Sequence, residues 1–296
     1  MTRTREIGSL RFPWRAPPAL TDEHDAIREV ALTRVAGAAA TTERDAVACE
    51  EPLEIQVRGV PVAVLMRTPG HDEELARGFL VTERVVRAAD EITAVRHCRV
   101  VEDPAAEDNV IAVSLRADVA LDLEALRRNV FTSASCGICG KASIASALAV
   151  APPLADATRV APATLRAVMD RLAAAQPVFA ATGGLHAAGL FGSDGTLRVV
   201  REDVGRHNAV DKVVGWALER GALPLAGHVL AVSGRISFEI AQKALAARIP
   251  IVAAVSAPTS LAVDLAERAG LTLAGFVRGA GFNVYGRRER VIEDER

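Results

Sequence analysis

Four cysteines occur in the 296 residues, and two of them lie three positions apart in Ser133-Ala134-Ser135-Cys136-Gly137-Ile138-Cys139-Gly140-Lys141. The reactive form of a cysteine is its thiolate, which the first turn of a helix stabilises. In such a setting a CxxC sulfur falls from about 8.5 to roughly 3.5–7.5. The run Ala142-Ser143-Ile144-Ala145-Ser146-Ala147-Leu148 predicts that helix, with Cys136 in its lead-in and Cys139 near its cap. Lys141 adds positive charge, and it also fits as a solvated lysine. The spacing by itself leaves three readings open: a reactive sulfur pair, half of a structural zinc site, or two inert buried thiols. Gly137 and Gly140 favour the first, because they leave a bare and approachable backbone.

Two further clusters carry chemistry-bearing side chains. Thr182-Gly183-Gly184-Leu185-His186 can set backbone N–H groups and an imidazole around a ligand, or form a tight turn with a satisfied histidine. Arg201-Glu202-Asp203-Val204-Gly205-Arg206-His207-Asn208 sets six polar or charged side chains just ahead of a predicted helix, more than a solvated cap requires. Cys49 and Cys98 are isolated and expected as buried small hydrophobes. His24, His71, His97 and His228 show no pairing in the sequence.

The elements that must position these groups follow from periodicity. Residues 1–45 lack a stable period, carry Pro13, Pro17 and Pro18, and are expected to form a partly disordered extension. Alternation over Glu51–Met66 around Arg58-Gly59 predicts a β-hairpin, and Asp72 is expected to cap a helix over 73–81. Strands are predicted over 95–101 and 109–115, closing a small α+β domain over 46–130. Beyond it, Pro162–Ala174 reads as a helix, and His186–Phe191 with Leu197–Arg201 as a hairpin around Ser193-Asp194-Gly195. Helix Asn208–Arg220, strand His228–Ser233, helix Ile236–Ala247, strand Ile251–Ser256, helix Ser260–Ala269 and strand Leu271–Val277 then alternate. Such alternation predicts a parallel or mixed sheet covered on both faces. Ligands of these sheets bind beyond the carboxyl ends of the strands. The segments leaving those ends are Ser233-Gly234-Arg235, Ser256-Ala257-Pro258 and Arg278-Gly279-Ala280-Gly281. Their glycines and their arginines, Arg235 and Arg278, suit phosphate or nucleotide contact.

Composition narrows the classes. Half the residues are hydrophobic but only 4% aromatic, which suits close helix packing in an α/β protein. A net charge of -2 and a pI near 6.3 argue against nucleic acid or an anionic membrane as partner. No apolar run reaches the roughly 18 residues of a membrane span. Few cysteines and an N-terminus without an apolar leader point to a reducing cytoplasm, where a CxxC is catalytic or metal-binding rather than a bridge.

Taken in order, these segments resemble the FdhD family of sulfur carrier proteins required for formate dehydrogenase activity. The resemblance runs from about Glu50 to Tyr285. It is carried by Glu51-Pro52-Leu53, Met66-Arg67-Thr68-Pro69-Gly70-His71-Asp72, the Ser135–Lys141 segment, Thr182–His186, Glu202–Lys212 and Ser233-Gly234-Arg235. It implies a cytidine deaminase-like three-layer α/β/α domain over 131–290, behind the small α+β domain, and a cytoplasmic homodimer. It further implies a sulfurtransferase that takes persulfide sulfur from a cysteine desulfurase onto Cys136. The sulfur then passes to the molybdenum cofactor, Mo-bis(molybdopterin guanine dinucleotide), for formate dehydrogenase, with no metal held by the protein itself. Cys139 either releases the sulfur or accepts it. The family's cofactor-binding segment falls on Phe276, Val277, Arg278, Gly279, Ala280 and Gly281, so GDP is the expected mimic. Phe276 offers a stacking face, Arg278 a phosphate partner and the glycines close backbone approach.

Three rivals remain. A thiol–disulfide oxidoreductase expects its CxxC at the first strand-to-helix turn, not mid-chain. A zinc deaminase needs H-x-E followed by P-C-x-x-C, whereas this chain has His186-Ala187-Ala188 after the cysteines and Ser135 in place of the proline. A cofactor-binding chaperone would need neither thiol, and substituting the cysteines separates it from a carrier.

Overall fold

The computed structural model describes residues 26–98, 108–123, 126 and 152–291. Cys136, Cys139, Lys141 and the helix predicted after them lie outside the described residues, as do residues 99–101 of the strand predicted over 95–101.

The described residues open on a hairpin of β1 (Ile27–Ala36) and β2 (Ala39–Ala48), paired along its whole length. The sequence reading placed most of this segment in an irregular extension. Both faces of the ribbon are largely solvated, so its side chains show none of the alternation that marks a half-buried strand. A four-stranded sheet of order β4-β3-β6-β5 follows, from β3 (Glu51–Val57), β4 (Val60–Arg67), β5 (Ile92–His97) and β6 (Val110–Leu115). Here alternation is plain, with Leu53, Ile55 and Val57 fully buried.

That sheet is covered by α1 (Asp72–Thr82). Asp72 was expected to cap this helix. The cap position is instead His71, in the left-handed region at φ 57°, and Asp72 is the first helical residue. Its carboxylate is drawn off by the buried Arg67 guanidinium, which reaches its two oxygens at 3.0 and 2.9 Å.

The large sheet has the order β12-β11-β10-β9-β7-β8. Its strands are β7 (His186–Gly192), β8 (Leu197–Asp203), β9 (His228–Val232), β10 (Ile251–Ala254), β11 (Thr272–Arg278) and β12 (Gly281–Gly286). The central β9, β10 and β11 are parallel, and the outer strands are antiparallel. Their near-continuous apolar runs match burial on both faces. Val229, Ala231, Ile251 and Ala253 pack with α2 (Pro162–Ala174). Leu230, Val232, Val252 and Ala254 belong to the core of the other face, with α4 (Arg206–Glu219) and α5 (Phe238–Ala246). A short α3 (Pro177–Thr182) and α6 (Ser260–Ala269) complete the described helices. The sequence reading missed β12 and α3, which are short and carry little periodicity.

Helices α1 and α4 cross with their backbones in contact. A Cβ on Gly78 would overlap the Asp211 carbonyl, and one on Gly215 would overlap that of Glu74. Only glycine admits this approach. One continuous core therefore runs from the small sheet through the helix pair to the large sheet.

Candidate functional site at the carboxyl edge of the large sheet

The parallel strands β9, β10 and β11 all release their chain at one edge. Backbone hydrogen bonds lace the segments together there: Ile236 N–H to Ala257 O, Thr259 N–H to Ile236 O, and Phe276 N–H to Ser256 O at 3.1 Å. Gly275 lies so close beneath Pro258 that a Cβ would come within 2.8 Å of its ring. Ser233 fastens the adjacent β7, since Ala187 N–H donates to its Oγ at 2.8 Å. The edge is thus a laced rim rather than a set of independent loops.

A cleft of about 450 Å³ opens in this rim, lined by Gln176, Phe179, Gly183, Gly184, His186 and Ser233, among others. Two of the sequence segments meet here, Thr182–His186 and Ser233–Arg235. The third, Arg201–Asn208, arrives from β8 and α4. Gly234 sits between the ends: a Cβ there would lie 3.6 Å from His186 Nδ1 and 4.0 Å from Arg206 Cδ. Burial, with the nearby charges of Arg206 and His207, holds His186 below the usual imidazole range. Neither of its ring nitrogens hydrogen-bonds to a described residue.

The polar cluster before α4 divides into two kinds of residue. Arg201 is spent on Glu74, at 2.6 and 2.8 Å. Asp203 is fully buried against Lys212 Nζ at 2.7 Å and also accepts from Thr68 N–H, Gly205 N–H and Asn208 Nδ2. Lys212 in turn donates to Thr68 O, and Asn208 to Met66 O. These motif residues clamp the Met66–Asp72 segment to the large sheet. They are structural. Glu202 accepts from Val178 N–H and Phe179 N–H at 3.0 and 2.7 Å, and burial pushes its carboxyl up.

Arg206 and His207 are left facing the rim. Arg206 Nε is buried without a hydrogen-bond partner among the described residues. His207 Nε2 lies 3.3 Å from Glu239 Oε2 and 3.5 Å from Ser237 Oγ, and Ser237 donates to Glu239 at 2.9 Å. Burial opposes the charge on Glu239, but the bonds from His207 and Ser237 outweigh it and hold the carboxyl below its ordinary value. Sequence reading missed this trio and the bond from Phe179 N–H to Glu202, because no local pattern joins residues so far apart in the chain.

The Phe276–Gly281 segment is on the same rim, one backbone bond from the β10 end, but it does not line the cleft. Phe276 and Val277 lie in β11, as the predicted strand Leu271–Val277 has them, and of Arg278–Gly281, expected as a segment leaving that strand, Arg278 ends β11, Gly279 and Ala280 form a turn and Gly281 opens β12. Phe276 is half-buried at φ 57°, beside a register shift in the β11–β12 ladder, and Val277 is buried in the core. Arg278 is exposed and makes no ion pair with a described residue. Cys49 and Cys98, expected as buried hydrophobes, are only half-buried.

The architecture and rim define a mixed α/β protein with a basic, glycine-lined edge suited to an anionic ligand. The model of the FdhD/NarQ family matches residues 48–292, and the chain belongs to that family. Proteins named sulfur carrier protein FdhD are similar over most of the chain. That of Mycolicibacterium paratuberculosis is 51% identical over 263 residues, covering 88% of this chain and 97% of the relative. That of Streptomyces avermitilis is 52% identical over 264 residues, covering 88% and 94%. The crystal structure of a Desulfotalea psychrophila protein assigned as a formate dehydrogenase accessory protein superposes with a TM-score of 0.70. It is 25% identical and covers 90% of this chain and all of that one.

Proposed function

We propose that this chain is a sulfur carrier that moves sulfur from a cysteine desulfurase to the molybdenum cofactor destined for formate dehydrogenase. The reading takes its activity from the relatives named as sulfur carriers and its chemistry from the Cys136–Cys139 pair. Cys136 thiolate attacks the outer sulfur of the donor persulfide. A new S–S bond forms, the donor's S–S bond breaks and the donor cysteine leaves as thiolate. For release, Cys139 thiolate attacks the Cys136 sulfur and expels the outer sulfur as hydrosulfide, leaving a CxxC disulfide that a thiol reductant must reopen. Direct acceptance of the sulfur by Cys139 is the other route.

The structural observation that carries the reading is the rim. Arg206, Arg235 and Arg278 gather at one edge, and none of them is ion-paired within the described residues. Unneutralised guanidinium groups beside bare glycines suit the phosphates of a dinucleotide cargo. The Phe276–Gly281 segment takes a guanine nucleotide end in this reading, with Phe276 against the base and Arg278 on phosphate. The protein works as a cytoplasmic homodimer.

The test is genetic. Cells whose only copy is Cys136→Ala are expected to lack formate dehydrogenase activity, while Cys49→Ala and Cys98→Ala cells retain it. Full activity with Cys136→Ala would overturn sulfur transfer and leave a cofactor chaperone.

A further inference from the structure

Two uncovered parts of the fold adjoin. The first is the free edge of β4, an outer strand of the small sheet with no strand on its far side among the described residues. The second is the β1–β2 ribbon, a two-stranded sheet of its own. We propose that together they form the face on which a second copy of this chain docks, with β4 pairing antiparallel to β4 of that copy about a twofold axis at Leu65. The proposal rests on the homodimer of the proposed function and names the face that makes it.

An outer strand offers unpaired backbone groups to any other chain, and folded proteins blunt such edges with charge, proline or a bulge. In β4 the proline, Pro61, and the register shift against β3 both sit in its first half. The second half turns apolar side chains outward: Val64 and Met66, two residues apart on one face, are 48% and 49% exposed. A strand that pairs antiparallel with its own copy must bring like faces together, so the axis passes through a residue. At Leu65 it sets Val64 against Met66 of the second copy, twice over. On the other face it sets Leu65, already packed on the core, against its counterpart. An axis at Val64 would instead spend Met66 on Val62, which is fully buried already, and would bring Arg67 opposite Pro61. With the axis at Leu65 the paired stretch is residues 63–67, clear of the proline.

The ribbon supplies the rest of the area. Cys49 N–H donates to Ala26 O, two residues before Glu51, and Glu51 pairs with Arg67. The ribbon therefore leaves the small sheet at the end where β4 finishes. In the proposed register Ala63 of the second copy lies opposite Arg67, and the rest of that β4 runs on past this end, beside the root of the ribbon. Ten residues of strand then reach about 33 Å along the second copy. A lone two-stranded ribbon is marginal in water. This one is exposed over most of both strands and at the six small apolar residues 35–40 of its tip. Its charges balance, Arg28, Arg34 and Arg44 against Glu29, Glu43 and Asp45, so it carries no net charge to repel its own kind. Two ten-residue strands with residues 63–67 match the roughly 20–30 residues that a stable interface takes on each side.

The test is the mass of the full-length protein by light scattering and its dimer dissociation constant by sedimentation. Val64→Lys sets an ammonium against Met66 at two symmetric places and should raise the dissociation constant about tenfold. Adding Met66→Glu gives each ammonium a carboxylate across the axis, so the double variant should return to within about threefold of wild type. Shortening the ribbon by joining Val30 to Asp45, its register partner, through Asn-Gly should also dissociate the dimer. The altered side chains are exposed, so thermal midpoints should stay at the wild-type value. A dimer indifferent to Val64→Lys, or a double variant no tighter than the single, overturns the β4 pairing. A dimer indifferent to the shortened ribbon overturns the ribbon's part in the face. A wild-type protein that is monomeric throughout overturns the homodimer reading as well, whereas a dimer unmoved by every variant rejects only this face.

Discussion

The buried Lys212–Asp203 pair makes the strongest demand on the account of how the motifs work. Lys212 Nζ and Asp203 Oδ2 are 2.7 Å apart with side chains 1% and 0% exposed, and Lys212 also holds Thr68 O at 2.9 Å. Lys212→Met removes the cation and leaves a carboxylate with no route to water. Losing one partner of a buried pair costs roughly 3–5 kcal/mol. Here Thr68 N–H, Gly205 N–H and Asn208 Nδ2 still reach Asp203, so the lower end applies, about 3 kcal/mol. At about 2 °C per kcal/mol for a chain of this size, the melting temperature should fall by roughly 6 °C. Adding Asp203→Asn removes the stranded charge and keeps an amide oxygen for Gly205 N–H and Asn208 Nδ2, so the double variant should regain much of the loss. Thermal unfolding followed by circular dichroism reads both. A fall of under about 2 °C for Lys212→Met, or a double variant no better than the single, would refute a buried electrostatic clamp between the two sheets.

The remaining predictions reach other parts of the structure. Gly78→Ala drives a methyl into the Asp211 carbonyl at the α1–α4 crossing, and overpacking of about 1–3 kcal/mol should outweigh the better helix propensity of alanine, lowering the urea midpoint. His186, held down first by burial and then by Arg206 and His207, should titrate by NMR below the ordinary 6.5, and Arg206→Gln should move it upward. Because its folded value is depressed, the unfolded chain binds the proton more readily. Its contribution to stability is therefore present above pH 6.5 and lost as the pH falls through the folded value. Arg278→Ala should weaken GDP by roughly 1.5–3 kcal/mol if the guanidinium meets phosphate, with GDP preferred over ADP in calorimetry. An unchanged GDP affinity would remove Arg278 from the nucleotide contact.

Legibility in the sequence followed burial. Strands with one or two covered faces, such as β3 and the central β9–β11, write their pattern into consecutive residues, and α2 and α6 were read with their observed limits. The exposed β1–β2 ribbon wrote none. Function-bearing segments were visible as clusters of unusual residues, yet the sequence could not say which members faced a ligand. Arg201, Asp203 and Asn208 share a cluster with Arg206 and His207, and only packing separates the clamps from the rim. Phe179 and Glu202 were not linked at all, because a side chain that caps a helix 23 residues away leaves no local trace.

The central claim is that sulfur rides on Cys136. The most direct measurement incubates the full-length protein with a cysteine desulfurase and cysteine, then reads intact mass and alkylated peptides by mass spectrometry. The account predicts a gain of one sulfur atom, about 32 Da, lost on treatment with a thiol reductant and mapped to the peptide containing Cys136. It predicts no gain in Cys136→Ala and an undiminished gain in Arg278→Ala, since loading requires only the thiolate and its donor. A wild-type protein that gains no sulfur, or gains it equally when Cys136 is replaced, would contradict it.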